Sequence, residues 1–180
     1  MCRGKTGGNL VSLVRMLALG VDGGRVILVD ETTGEVKWSV QAHPVEDWSS
    51  RVAMSPGGGV MASVGQRDEH WTLLDAASGV VHRVGARHDG TGACICEVPD
   101  LGQRLVQEGC PVVAHTGPIR AMEFSPCGQR LATGGLDGAV ILWDVHTCQA
   151  EQRMLAPSDC VRALSWSADG ARLASGSVEK

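Results

Sequence analysis

A few side chains are of types and spacings that could carry out chemistry. His115 and Asp137 could act as an acid–base pair, because an imidazole beside a carboxylate can accept and return a proton. Cys94 and Cys96 could ligate a soft metal ion. The segment Gly4-Lys5-Thr6 has the ending of a phosphate-binding loop. Each assignment depends on whether the surrounding pattern is complete.

The loop and metal-site patterns are incomplete, and the His–Asp pair is explained below by a repeat. The phosphate loop lacks its first glycine and does not follow a strand. Cys94 and Cys96 lie closer together than zinc ligands usually do, and no second pair complements them. The glycine-rich stretch 89–92 has Ile95 where a dinucleotide loop needs its third glycine. The sequence therefore predicts no catalytic residue, no cofactor and no metal site.

The composition indicates a globular all-β chain. Of its 180 residues, 43% are hydrophobic and 20% charged, and 24 scattered glycines point to many tight turns. The net charge of −4 argues against a nucleic-acid surface, and no apolar run is long enough to cross a membrane. Seven cysteines without even spacing fit a reducing compartment. We expect a cytoplasmic protein, with the nucleus as the alternative.

Two stretches of the chain repeat each other. IRAMEFSPCGQRLATGG (Ile119–Gly135) and VRALSWSADGARLASGS (Val161–Ser177) lie about 42 residues apart and agree at about half of their positions. Each has an alternating apolar strand, a tight turn ending in glycine, and a second short strand. A period of about 40 residues is typical of one four-stranded blade of a β-propeller.

The segment from Ala114 to Gln149 resembles a WD repeat. Ala114-His115 stands where the family has Gly-His, and Trp143-Asp144 is its Trp-Asp dipeptide. The resemblance implies an all-β fold, a β-propeller of four-stranded antiparallel blades, of which this chain holds about four. It also implies a non-catalytic role in binding other proteins.

The other copies are weaker, and we interpret the chain as a partial propeller. The third copy lacks roughly 15 residues relative to the family period, and the last one stops early. Because such rings usually have about seven blades, we expect this one to be completed by further blades or by another chain. The strand 172–175 would then form an unpaired edge. The predicted blades are 10–41, 42–84, 85–113 (truncated), 114–156 and 157–180 (truncated).

The resemblance further implies a buried hydrogen-bonded tetrad. By position its members are His115, Thr133, Asp137 and Trp143. Asp137 would accept from one imidazole nitrogen, and the Thr133 hydroxyl would donate to the other while accepting from the indole. This favours a structural role for the His–Asp pair over acid–base catalysis. The second blade has His43 and Asp68, but Leu74 replaces the tryptophan.

In WD-repeat propellers, partners bind the loops on one face of the ring. The predicted contact residues lie beside the blade histidines and turn aspartates that anchor these loops, and an exposed aromatic adds a candidate: Arg67, Leu136, Pro118 and Trp48. Two alternatives stay open. The segment Ile27–Trp38 is similar to a blade of quinoprotein enzymes, in which a tryptophan docks between blades, and an RNA-associated WD-repeat protein is the other.

Overall fold

A computed structural model describes residues 16–43, 45, 51–65, 71–84, 94–98, 103–107, 115–156 and 160–177. Within these ranges the chain forms only strands and turns, so the predicted all-β class is confirmed. The described part of the chain contains no helix that is long and apolar enough to cross a membrane. The strands are β1 (Met16–Val21), β2 (Arg25–Asp30), β3 (Val36–Gln41), β4 (Arg51–Met54), β5 (Val60–Val64), β6 (Trp71–Asp75), β7 (Val81–Val84), β8 (Cys94–Val98), β9 (Gln103–Gln107), β10 (Ile119–Phe124), β11 (Arg130–Gly135), β12 (Ala139–Asp144), β13 (Ala150–Leu155), β14 (Val161–Trp166) and β15 (Leu173–Ser177).

The first sheet is an antiparallel meander in the order β1-β2-β3. Gly23 and Gly24 form the β1–β2 turn with φ values of 80° and 71°, a region that glycine enters without steric cost. Along β2, Val26 and Leu28 alternate into the core. The Asp30 carboxylate accepts backbone N–H groups of Thr32 and Thr33, which fixes the next turn.

The third sheet, in the order β10-β11-β12-β13, is a complete four-stranded antiparallel blade. Its β10–β11 turn is closed by the Ser125 hydroxyl, which accepts the Arg130 N–H, and by Gly128 with φ of 71°. Its β12–β13 turn is closed by the Asp144 carboxylate, which accepts the N–H groups of His146 and Thr147. The predicted blade architecture is confirmed in this sheet.

The second sheet has more strands than a single four-stranded blade. It has six strands in the order β4-β5-β6-β7-β8-β9, and among the described residues the pair of Val84 and Cys96 joins β7 to β8. The stretch 85–113, predicted as a truncated blade, therefore contributes β8 and β9 to the outer edge of this sheet. The physical reason is that an isolated hairpin is marginal, whereas an existing sheet edge offers it unpaired backbone groups.

The fourth sheet consists of β14 and β15. Its hairpin turn repeats that of the third sheet, with the Ser167 hydroxyl accepting the Arg172 N–H and Gly170 at φ of 68°. In the described part of the chain, β15 pairs only with β14. A groove of about 410 Å³ lies between this hairpin and the third sheet, lined by side chains that include Val140, Leu142, Met154 and Trp166.

The sheets are stacked so that their first strands touch in succession, β1 with β4, β4 with β10 and β10 with β14. We call these four the inner strands. One apolar core joins the second and third sheets, and within it the rings of Trp71 and Trp143 meet edge to face, with 5.5 Å between centroids. The third and fourth sheets approach closely at Gly134, where a β-carbon would lie 2.9 Å from that of Val161.

The first and second sheets are joined by Trp38 on β3. Its indole N–H donates to the Ala76 carbonyl oxygen at 3.0 Å, across the sheet boundary. A β-carbon on Gly79 would lie 2.9 Å from the Trp38 ring, so only glycine leaves room for the indole. The tryptophan docking implied by the quinoprotein-like segment is thus present between these two sheets, whose strands otherwise follow the propeller pattern.

Candidate functional site

The four side chains of the predicted tetrad lie in contact beside the start of the third sheet. The Trp143 indole on β12 donates to the Thr133 hydroxyl on β11 at 2.8 Å. His115 Nε2 lies 2.8 Å from the same hydroxyl, and His115 Nδ1 lies 2.9 Å from Asp137 Oδ1. The strands β11 and β12 and the turn between them are therefore tied to the segment that precedes β10.

The chemistry of the groups assigns the protons in this chain. A carboxylate can only accept, so His115 Nδ1 carries a hydrogen and donates it to Asp137. In that tautomer Nε2 accepts, and the Thr133 hydroxyl donates to it while accepting from Trp143. Every polar atom of the buried part of the network has a partner, as buried polar groups require.

The Asp137 carboxylate anchors the loop as well as the imidazole. It accepts the backbone N–H groups of Thr116 at 3.0 Å and Ala139 at 3.2 Å, and Arg153 lies 3.6 Å from Oδ2. Burial alone would raise its pKa, but the hydrogen bond from His115 and the two backbone N–H groups outweigh this and lower the pKa to about 2. The group is therefore charged throughout the neutral range.

Gly135 makes room for the His–Asp contact. A β-carbon at this position would lie 2.6 Å from His115 Nδ1 and would also overlap Asp137 Oδ1. Any other residue would force the two side chains apart. The glycine is thus as much a part of this site as the four side chains, although it contributes no polar group.

The arrangement is better suited to a structural role than to catalysis. His115 and Trp143 are each only 4% exposed, and Thr133 is fully buried. Both ring nitrogens of His115 are occupied within the network, so proton transfer to an outside molecule would require breaking it. The network itself is buried, but the loop that it anchors reaches solvent, and in that loop Leu136 is 37% exposed.

We define the loop face as the residues Thr116–Pro118 and Leu136–Gly138, which share one end of the third sheet. The Leu136 N–H donates to the Pro118 carbonyl oxygen at 2.9 Å, so the two segments are held together. Leu136 and Pro118, both predicted as contact residues, therefore lie side by side. The other two predicted contact residues, Arg67 and Trp48, lie outside the described residues, as does Asp68.

The second sheet carries a reduced version of the network. His43 Nε2 lies 2.6 Å from the Ser63 hydroxyl, and Ser63 occupies the register position of Thr133. Leu74 stands where the third sheet has its tryptophan. Among the described residues, the buried Trp71 Nε1 and Thr72 Oγ1 have no hydrogen-bond partner. The sequence prediction identified His43 but missed Ser63, although alignment of its strand with that of Thr133 would have found it.

The described residues hold no group of three or more His, Cys, Asp or Glu side chains placed to bind a metal ion. Cys94 and Cys96, the pair that raised this question in the sequence, lie on β8. The chemistry of the described site is therefore that of hydrogen bonds and exposed loop contacts.

Comparison with known proteins identifies the repeats. The family described as WD domain, G-beta repeat matches residues 108–144 and again residues 148–180. These two stretches contain the third sheet up to the end of β12, and then β13 together with the fourth sheet. The first of the two matched stretches holds the complete tetrad.

Two curated relatives are similar to this chain over more than half of its length. Transducin beta-like protein 3 of Bos taurus is 33% identical in an alignment of 118 residues that covers 56% of this chain and 15% of that protein. U3 small nucleolar RNA-associated protein 21 homolog of Schizosaccharomyces pombe is 27% identical in an alignment of 112 residues that covers 59% of this chain and 12% of that protein. The chain thus spans less than a fifth of the length of either relative.

A solved structure titled "Structure of U3-55K" superimposes with a TM-score of 0.58 at 16% sequence identity. The superposition covers 83% of this chain and 38% of that one. At this identity the likeness concerns the fold alone, and it extends well beyond the two matched repeats.

Proposed function

We propose that this chain, a WD-repeat protein, serves as a non-catalytic platform that binds other proteins through the loop face. One observation carries the proposal: the tetrad is buried and hydrogen-bonded within itself, whereas the loop that it anchors is exposed at Leu136. A rigid scaffold that fixes short exposed loops is the usual arrangement for binding partners on a propeller. The hydrogen bonds of the network hold the loop in one conformation, so that less conformational entropy is lost when a partner binds.

The test is site-specific photo-crosslinking in cells. A photoreactive phenylalanine analogue replaces Leu136 in one variant and His146 in the other. His146 is a matched control because it is also exposed but lies in the β12–β13 turn, at the opposite end of the same strand. We expect discrete protein adducts, identified by mass spectrometry, from position 136 only. Equal or absent labelling at the two positions would refute a partner-binding loop face.

A second candidate is membership of an RNA–protein assembly. It is supported by the relative named as a U3 small nucleolar RNA-associated protein, whereas the net charge of −4 speaks against direct RNA contact. Filter binding with labelled RNA across a salt titration separates the two. If the chain contacts phosphates, affinity will fall steeply with salt. If it joins such an assembly through proteins, RNA binding will be absent while crosslinks at Leu136 persist.

A further inference from the structure

Arg25 on β2 donates two hydrogen bonds to one serine hydroxyl on the neighbouring strand β3. In the register of the two strands Arg25 pairs with Gln41 and Ile27 pairs with Ser39, so Arg25 and Ser39 are diagonal neighbours on one face of the first sheet. The guanidinium Nε and Nη2 of Arg25 donate to Ser39 Oγ at 3.2 Å and 2.8 Å. Both residues are exposed. The fork of donors that suits an oxyanion is thus directed at a neutral oxygen.

We infer that Ser39 is a phosphorylation site and that Arg25 is the receptor for its phosphate group. Phosphoserine carries about −1.5 to −2 charges at neutral pH and three strong acceptor oxygens, which match a guanidinium fork. In the described part of the chain no carboxylate forms an ion pair with Arg25, whereas Lys37 on β3 has Glu35 at 2.9 Å. A phosphate on Ser39 therefore meets an uncompensated positive charge. The site lies on the first sheet, away from the loop face, and does not depend on the proposed function.

The reaction is phosphoryl transfer from a nucleoside triphosphate, catalysed by a protein kinase. Ser39 Oγ attacks the γ-phosphorus, and the new O–P bond forms as the bond from that phosphorus to the β,γ-bridging oxygen breaks. The nucleoside diphosphate leaves, and the hydroxyl proton passes to the catalytic base of the kinase. Arg25 takes no part in these steps. Because its side chain is exposed, it can turn from the hydroxyl to the phosphate oxygens once they are in place.

The position of β3 makes Ser39 accessible to an enzyme. Among the described residues β3 is an edge strand of the first sheet, with β2 on one side only. Its side chains alternate between exposed and half-buried from Lys37 onwards, and that of Ser39 is exposed. An extended strand at a sheet edge is a form of backbone that another protein binds readily. A kinase can therefore reach Ser39 while the first sheet stays folded.

Other exposed hydroxyl groups lie beside the opposite charge. The Ser78 hydroxyl donates to the Asp75 carboxylate at 2.6 Å, and the Thr147 hydroxyl donates to the Asp144 carboxylate at 3.0 Å. A phosphate on either would be repelled by that carboxylate and would open the turn that the carboxylate closes. Ser78 is therefore a matched control for Ser39, because it is an exposed serine whose nearest charge has the other sign.

The first measurement determines whether the modification occurs. The whole chain is expressed with an affinity tag in cells of its native organism, phosphatases are inhibited, and the phosphate occupancy of each serine is quantified by mass spectrometry. We expect phosphate on Ser39 and none on Ser78. Absence of phosphate from Ser39, or equal occupancy of the two serines, overturns the inference.

The second measurement tests Arg25 as the receptor. Phosphoserine is incorporated at position 39, or at position 78 as the control, through an expanded genetic code, and thermal unfolding is followed at low salt with and without R25Q. At position 39 the phosphate should raise the Tm by about 1–3 °C, and R25Q should abolish this rise. At position 78 it should lower the Tm whether or not Arg25 is present.

Each phosphorylated protein is compared with its own unphosphorylated form, so any effect of R25Q on the fold itself cancels. A rise in Tm that persists in R25Q would mean that another group holds the phosphate. No rise in the protein that keeps Arg25 would mean that the guanidinium group is not a phosphate receptor. Either result overturns the assignment of Arg25.

Discussion

The Thr133 hydroxyl is the centre of the buried network, and the substitution Thr133→Val removes it with almost no change of shape. Without that hydroxyl, the Trp143 indole N–H and His115 Nε2 both lose their partner. Both residues are only 4% exposed, so water cannot replace it. A buried polar group left unpaired costs about 1–3 kcal/mol, and two of them cost about 2–6 kcal/mol. This is a large part of the 5–15 kcal/mol that stabilises an ordinary domain, on the order of half of it.

The second sheet offers a matched control. Thr72 is also fully buried on a central strand, but its hydroxyl has no partner among the described residues. Thr72→Val therefore exchanges an unpaired hydroxyl for a methyl group, and we expect it to be neutral or stabilising. Thr133→Ser keeps the hydroxyl and loses one methyl, for which we expect a cost of about 1 kcal/mol.

The assay is equilibrium unfolding in urea, followed by tryptophan fluorescence, with the free energy of unfolding extrapolated to water. The expected order of stability is Thr72→Val at or above the unaltered protein, then Thr133→Ser, then Thr133→Val. If Thr133→Val and Thr72→Val agree within about 0.5 kcal/mol, the network does not contribute what its geometry implies, and the reasoning is refuted.

Three further predictions concern the glycines and the carboxylate. Gly135→Ala should lower stability by more than about 2 kcal/mol, because its methyl group would overlap the His–Asp contact; thermal unfolding measures this. Because the pKa of Asp137 is lowered in the folded state, its charged form stabilises the fold at pH values above the pKa of the unfolded state, by roughly 1–2 kcal/mol after screening by water. This contribution should be lost as the pH falls from about 5 to 2, and it should be absent in Asp137→Asn. Urea unfolding at several pH values measures it. Gly79→Ala should destabilise more than Gly34→Ala, because both have φ of 71° but only the former meets the Trp38 ring.

Each of these predictions has a result that counts against it. Gly57→Ala meets no atom within 4 Å and should be tolerated, so an equal loss there would mean that the Gly135 effect is not steric. If the free energy of unfolding depends on pH in Asp137→Asn as it does in the unaltered protein, other carboxylates account for the stability that is lost in acid. Equal effects at Gly79 and Gly34 would mean that backbone strain, and not contact with Trp38, sets the cost.

The complete blade could be read from the sequence because its signals are local. Glycines at tight turns, alternating apolar residues and the family dipeptides fix the strands of the third sheet and bring His115 to Thr133 and Trp143. The position of Ser63 follows from the same register. These features depend on the period of the repeat, which a single sequence displays directly.

What the sequence did not predict depends on contacts between distant segments. Among the described residues, the pairing of β8 with β7 rests on Val84 and Cys96, and no local sequence pattern indicates which sheet edge a hairpin will join. The bulges at Arg120 and Arg162 shift the register by one residue without changing the alternation of apolar residues enough to be noticed. The room left by Gly135 likewise becomes visible only when His115 and Asp137 are in place.

The docked indole of Trp38 also bears on how the chain opens. Stacked repeats usually gain stability from each unit and from each boundary between neighbours, and a weak boundary allows one end to fray alone. Here the boundary between the first two sheets contains a hydrogen bond to Ala76 and a ring seated on Gly79. Amide hydrogen exchange in β2 and β6 should therefore share one opening energy, and Trp38→Leu should split that common unit in two.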